Sequence, residues 1–425
     1  MSERSKIGAF AKVRRGASPR PIGDPKYFGG EVGWIRISDV TASNKYLRKT
    51  EQYVSALGES LSVRVDKGDL IMSICGTIGR PIIIDFPSCI HDGFVQLYDI
   101  KNADTEYLYY ILQFHEKDLE GKGQPGTQVN LNTGIVENFE IFYPSCPEQR
   151  KIAHILSTCD AVIENIQSAM AKYKAIKQGM LHDLFTRGID ITTGKLRPKY
   201  ENAPALYKPS KLGMVPKEWE VEKLENLCSE KPTYGINAAS VDFTHQLPTY
   251  IRITDIDEEG NFSKTGRKCV DSPFASNYVL KKGDLVFART GATVGKTYLY
   301  NEADGLLVYA GFLIKISPNT KMLDSDFMKF LTETPYYLNW IGLMSQRSGQ
   351  PGVNGNEYGS FLVPKPNLTE QNNIAAKFLT IQGKIHTEQS YLHKLQSIKQ
   401  GLMGDLLSGK KRVRAPEEAI TQTEN

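Results

Sequence analysis

Two stretches of about forty residues constrain this chain more than anything else in it, because they are one stretch written twice. The first runs from Glu148-Gln149-Arg150-Lys151-Ile152 to Leu184-Phe185-Thr186-Arg187. The second runs from Glu370-Gln371-Asn372-Asn373-Ile374 to Leu406-Leu407-Ser408. They align without a gap at an offset of 222 (374 − 152), placing Ile152 on Ile374, Ala153 on Ala375 and Ile163 on Ile385. At the far end Ile176-Lys177-Gln178-Gly179-Met180 matches Ile398-Lys399-Gln400-Gly401-Leu402. An internal repeat is its own comparison and must be read before any single element.

The repeated stretch has a helical seam. Ile152, Leu156, Cys159, Ile163, Ile166, Met170 and Tyr173 advance by alternating steps of four and three. The second copy gives Ile374, Phe378, Ile381, Ile385, Glu388, Leu392 and Leu395, broken only at Glu388. That is the a/d pattern of a coiled coil. A forty-residue helix is about 60 Å long at ~1.5 Å per residue. A stripe of that length outruns a compact domain and wants a partner helix, although a long core helix inside each domain is the plainer alternative. Antiparallel pairing of the two copies lets the repeat close on itself about a pseudo-twofold axis. It sets Ile152 opposite Leu406 and Leu184 opposite Ile374, with Gly179 near Phe378 and Gly401 near Leu156.

The fold class expected is therefore α+β: two globular units joined by two long helices. The boundaries read as 1–147 for the first unit and 148–187 for the first helix, then a linker at 188–219. The second unit follows at 220–369, the second helix at 370–409, and a tail at 410–425 that is basic and then disordered. In the first unit a polar loop, Arg14-Arg15-Gly16-Ala17-Ser18-Pro19-Arg20-Pro21, precedes strands at Trp34–Asp39, Asp69–Ile74 and Pro81–Ile84. A helix capped by Thr105 or Asp104 follows, then a glycine-rich loop and a strand at Phe139–Tyr143. The programme restarts after the linker: Tyr250–Asp255 repeats the Trp34 strand, Lys282-Gly283-Asp284 repeats Lys67-Gly68-Asp69, and Gly349-Gln350-Pro351-Gly352 repeats Gly123-Gln124-Pro125-Gly126. Here the offset drifts, from 215 (282 − 67) to 226 (349 − 123), while the helices hold register. One rigid scaffold presenting two different surfaces is the economical reading.

Composition narrows the function classes. No apolar run approaches the ~20 residues of a membrane helix, and Met1–Lys6 has no apolar signal region behind it, so a cytoplasmic protein with no membrane partner is expected. The six cysteines are scattered without a C-x-x-C pair, which argues against a metal site or disulfide framework and for buried free thiols. A net charge of +4 permits an anionic partner without demanding one.

In combination, the strand–Gly-Asp-Leu–Gly-turn units, the Gly-Gln loop, a proline shortly before Glu-Gln (Pro144 before Glu148-Gln149, Pro366 before Glu370-Gln371) and a helix ending Lys-Gln-Gly-Met/Leu, all done twice, resemble the specificity (S) subunit of type I restriction–modification enzymes. The linker Lys211-Leu212-Gly213-Met214-Val215-Pro216-Lys217-Glu218-Trp219 belongs to the same pattern, and the likeness covers nearly the whole chain. The first half lacks a Pro-x-x-Trp before Ile7, a small departure. The resemblance implies two target recognition domains on an antiparallel coiled coil, each reading half of a split double-stranded DNA sequence. It also implies two docked methyltransferase subunits and, through them, restriction (translocase–nuclease) subunits. S-adenosylmethionine, ATP and Mg are then expected only in those partners, with no cofactor bound by this chain.

The residues themselves offer no catalytic set. Thr290-Gly291-Ala292-Thr293-Val294-Gly295-Lys296-Thr297 mimics a phosphate loop, but three residues separate its glycines where four are needed, and the copy at Gly76–Arg80 lacks the Lys-Thr pair. His91-Asp92 has no nucleophile beside it and reads as a satisfied surface pair. No Asn/Asp-Pro-Pro-aromatic segment, Pro-Asp dipeptide or H-E-x-x-H is present. DNA reading instead wants Arg, Lys, Asn and Gln on loops that enter a groove. Gln124, Gln128, Asn130 and Asn132 fall on one such loop, and Gln346, Arg347, Ser348, Gln350, Asn354 and Asn356 on its counterpart. Arg14, Arg15, Arg20 and Arg80 in the first unit, and Lys264, Arg267, Lys268 and Lys296 in the second, are candidates for phosphate. Half-sites read from one face lie about 34–36 Å apart, within reach of the helix. The alternative class is a non-catalytic coiled-coil scaffold whose globular units bind protein or glycan.

Overall fold

A computed structural model of the chain describes residues 4–122, 130–346 and 351–414. They divide into two compact units, one of residues 1–167 with 390–425, the other of residues 168–389. Both long helices are present, at Cys146–Thr186 and Leu368–Leu406. Each unit takes a part of both.

In the first unit, Ile152, Ala153 and Leu156 from the start of one helix share a core with Leu406 and Leu407 from the end of the other. Lys399 reaches Asp160 at 2.5 Å. In the second unit, Leu181, Leu184 and Phe185 share a core with Ile374, Ala375 and Phe378. The pairing is antiparallel in each unit. The seam is buried at Ile152, Leu156, Ile166, Met170, Ile374, Phe378, Ile381 and Leu392, and half-buried at Cys159, Ile163, Tyr173, Ile385, Glu388 and Leu395. One expected detail fails. A Cβ built on Gly179 or on Gly401 meets nothing within 4 Å, so neither glycine makes room for a large side chain opposite. Phe378 is held by other rings instead, 4.8 Å from Phe330 and 5.8 Å from Phe185.

The globular part of each unit carries the same sheet twice over. In the first, Lys12–Arg15, Phe94–Tyr98, Leu70–Ser73 and Pro81–Ile84 lie side by side antiparallel, with Tyr46–Leu47 added at the edge. In the second, Thr233–Tyr234, Leu313–Ile316, Leu285–Ala288 and Thr297–Leu299 repeat that order. A second sheet accompanies each, with a parallel step between Phe28–Ile35 and Ser88–Ile90, and again between Thr249–Ile251 and Leu307–Tyr309. The Lys-Gly-Asp turns are alike: Gly68 and Gly283 take φ of 95° and 90°, open to glycine. Asp69 and Asp284 each close the turn by accepting a backbone N–H three residues back at 2.8 Å.

Several local expectations are corrected. The Trp34 and Tyr250 strands stop at Ile35 and Ile251, and helical turns follow at Ile37–Thr41 and Ile253–Asp255. Their cause is a carboxylate: Asp39 accepts the Arg36 N–H at 2.8 Å and Asp255 the Arg252 N–H at 2.9 Å, closing each turn. Arg14 and Arg15 lie in a strand paired with Phe94–Tyr98, not in a loop. The linker holds a hairpin, Tyr207–Ser210 against Gly213–Pro216. Of the six free cysteines only Cys89 and Cys269 are buried; Cys75, Cys146, Cys159 and Cys228 are half-buried.

The Glu-Gln pair that opens each helix proves to be a joint. Gln149 accepts the Asp104 N–H at 2.9 Å and donates to Pro144 O at 2.8 Å. Asp104 in turn caps the helix Thr105–Phe114. Gln371 does the same with Asp324 N and Pro366 O at 2.8 and 2.9 Å, and Asp324 caps Ser325–Leu331. Both glutamines are fully buried, so every polar atom must be paired. The glutamates are gripped by arginines that follow the other helix. Arg412 donates to both oxygens of Glu148, at 2.9 and 2.6 Å. Arg197 donates to both oxygens of Glu370, at 2.5 and 3.0 Å, and Trp219 adds its indole N–H at 3.1 Å. Gly188 (φ 63°) is obligatory here: a Cβ would lie 2.1 Å from Glu370 Oε1 and 2.4 Å from Trp219. The basic cluster at 410–414 is thus partly tethered, with Lys411 also on Asp405 at 2.6 Å.

Candidate nucleic-acid interface

In each unit four chain segments converge at one end of the main sheet, held by backbone hydrogen bonds. In the first, Gly16 N donates to Phe94 O at 2.9 Å and Ala17 N to Ile90 O at 3.2 Å. Ile74 N donates to Gly93 O at 2.8 Å and Leu131 N to Ile74 O at 3.0 Å. In the second, Gly235 N donates to Leu313 O, Ile236 N to Tyr309 O, Arg289 N to Phe312 O and Val353 N to Arg289 O, all between 2.9 and 3.2 Å. The frames match step for step. Gly16 and Gly235 are required by close approach, since a Cβ would lie 2.1 Å from His91 O in one and 2.3 Å from Ala310 O in the other.

The side chains on the two frames differ. Around the first, Asp92 is a hub: Ser18 Oγ donates to it at 2.7 Å and Arg20 at 3.0 Å, while Arg15 Nε donates to its backbone carbonyl at 2.6 Å. The Asp92 carboxyl lies below the usual range despite burial, which opposes this, because of the Ser18 hydrogen bond and the Arg20 charge. His91 is pushed down by burial; its Nδ1 accepts the Gly93 N–H at 2.9 Å. The pair, expected at the surface, is half-buried and hydrogen-bonded within the first unit. Around the second frame Tyr234 stands where the first has Arg15, Arg289 where it has Ile74 and Phe312 where it has Gly93.

The candidate contacts sort as follows. Arg14 is spent on Gln96 at 2.7 Å and lies over the Tyr98 ring. Arg80 touches Ser43 O at 3.4 Å. Asn130 is exposed beside Leu131. Asn132 and Asn354 occupy equivalent places and both cap short helices, accepting the Ile135 and Glu357 N–H at 2.9 Å. Asn356 and Gln346 are exposed. Lys264, Lys268 and Lys296 face Asp304, Asp242 and Glu258 at 3.4, 2.6 and 2.7 Å. Arg267 lies on the Phe243 ring at 3.6 Å. Gln124, Gln128, Arg347, Ser348 and Gln350 lie outside the described residues. Sequence reading passed over Tyr234, Arg289 and Phe312, whose only signal is their place in the repeat.

The same backbone frame is thus built twice, each time in a unit that contains an antiparallel pair of helix segments. Residues 2–172 match the model of the type I restriction modification DNA specificity domain. The type I restriction enzyme MjaVIII specificity subunit of Methanocaldococcus jannaschii is 24% identical over 422 residues, 96% of this chain and 92% of that one. The putative MjaX specificity subunit of the same organism is 26% identical over 74% of this chain and 70% of its own. Among solved structures, the type I S subunit of M. genitalium superposes with a TM-score of 0.62 at 15% identity, covering 95% of both chains. A chain from a structure titled for complex assembly and conformational transition of the type I system gives 0.52 at 15% identity, over 96% and 98%. Over nearly its whole length the chain is similar to specificity subunits of type I restriction–modification systems, and residues 2–172 match their DNA specificity domain.

Proposed function

We propose that this chain reads a bipartite double-stranded DNA target, one half-site with each unit, and docks two methyltransferase subunits and through them the restriction subunits. The observation that carries the reading is one backbone frame built twice with different side chains at equivalent places. A shared frame fixes how a segment meets DNA, and altered side chains alter which base edges it meets. The chain is non-catalytic in this reading. Adenine methylation and ATP-dependent cleavage, with their S-adenosylmethionine, ATP and Mg, belong to the partners, and the setting is the cytoplasm; no helix among the described residues is long and apolar enough to cross a membrane.

Co-expression with a type I methyltransferase subunit, followed by genome-wide mapping of methylated adenine, tests this. A split motif with a fixed spacer is expected; scattered methylation, or one unbroken motif, overturns it. Exchanging residues 1–145 for another such domain should change one half of the motif only. The scaffold alternative has no observation in its favour, and salt-independent DNA affinity would be its signature, because phosphate contacts release counterions.

A further inference from the structure

Of the five arginines described in the second unit, Arg187, Arg197 and Arg252 are bound to Asp183, Glu370 and Asp255 at 3.1, 2.5 and 2.6 Å. Arg267 is stacked tightly on Phe243. Arg289 is left. Among the described residues it meets no carboxylate, and its only side-chain hydrogen bond is to Gly311 O at 3.5 Å. It stands inside the recognition frame, with its backbone pinned on both sides by Phe312 O and Val353 N. Its guanidinium lies over the Tyr234 ring, 4.9 Å from the centroid. Tyr234 is itself fixed, because its hydroxyl accepts the Gly355 N–H at 3.0 Å. Beside them Phe312 is 59% exposed and Tyr234 43% exposed. A half-buried guanidinium braced on an aromatic face, with most of its five donors unspent and apolar walls around it, is a pre-oriented planar donor fork. Such a fork matches the O6 and N7 acceptors of guanine in the major groove.

We propose that Arg289, oriented by Tyr234, reads a guanine in the half-site taken by the second unit. This rests on the reading of the chain as a DNA-sequence reader and names a residue that carries it. The first unit has Ile74 at the matching place, and Arg15 where the second has Tyr234, so the two units present their guanidinium from different strands of one frame. That difference alone makes their half-sites unlike.

The test uses the full chain co-purified with its methyltransferase subunit, on its mapped target and on duplexes changed at one base pair at a time. The wild-type complex is expected to prefer guanine at one position of the second half-site by about tenfold or more. Arg289→Lys keeps the charge but not the fork, and should lose that preference while discrimination across the first half-site stays. Arg289→Ala should do the same with weaker overall binding. Preference retained at every position, an equal loss on all duplexes, or a second half-site without guanine each overturns the proposal. A wild-type complex indifferent to both half-sites overturns the reader itself, and is seen before any substitution is made. Unfolding midpoints are compared throughout; if Arg289→Ala is unfolded, Arg289→Lys is judged by the same outcomes.

Discussion

At the residue scale the two glutamate clasps are chemically alike and differ in burial. The Arg197 and Glu370 side chains are 9% and 0% exposed, whereas Arg412 is 49% exposed over a Glu148 that is 11% exposed. Removing one partner of a buried pair strands a charge, at a cost of about 3–5 kcal/mol; Arg197→Ala should therefore destabilise the second unit by that order in denaturant unfolding. Arg412→Ala, in contact with water, should cost on the order of 1 kcal/mol. The Arg412 hydrogen bonds hold Glu148 below the ordinary carboxylate range. A depressed carboxylate pKa contributes stability above its unfolded value, near ~4.3, and loses it as pH falls through the folded value. Glu148→Gln should accordingly flatten the acid side of the first unit's stability profile and leave the neutral plateau lower. An acid limb unchanged in that variant would show that Glu148 is not the group titrating.

At the element scale the helices were legible and the frames were not. A seam of four-three steps carried through two copies announces a long helix, and the helix limits fall within two residues of those expected at both ends of the first copy. The strands after Trp34 and Tyr250 were overread because Asp39 and Asp255 act through side-chain capping, which alternation of apolar residues does not register. The recognition frame joins segments near residues 16, 74, 92 and 131, and no local pattern announces such a convergence. Arg289 directly precedes Thr290-Gly291, and no periodicity or spacing of its own marks it out in the sequence. Gly179 looked like a socket and faces open space. Gly179→Ala should then raise helix stability by about 0.8–1.0 kcal/mol. Phe378→Ala, which empties a nest of stacked rings, should cost roughly 3–5 kcal/mol. If Gly179→Ala were destabilising instead, the pairing of the helices would have to be closer there than described.

At the scale of the whole molecule, the helices are proposed to set the gap between the half-sites. Lengthening both by the same few residues should change the tolerated spacer in the methylation motif and leave both half-site sequences as they were; altered half-sites with an unchanged spacer would end that proposal. The way the units are composed has a further consequence, in time rather than space. The first unit's core contains Leu406 and Leu407 beside Ile152 and Leu156. On the ribosome those leucines emerge roughly 250 residues after Leu156, and at ~5–20 residues per second that interval is on the order of 10–50 s. The second unit has all its parts by Gln389, so the domain begun first is the one completed last. Until residue 407 has been made, the apolar stripe at Ile152 and Leu156 lacks the leucines that cover it in the folded unit. A message truncated before residue 406 would disable the domain encoded farthest from the break.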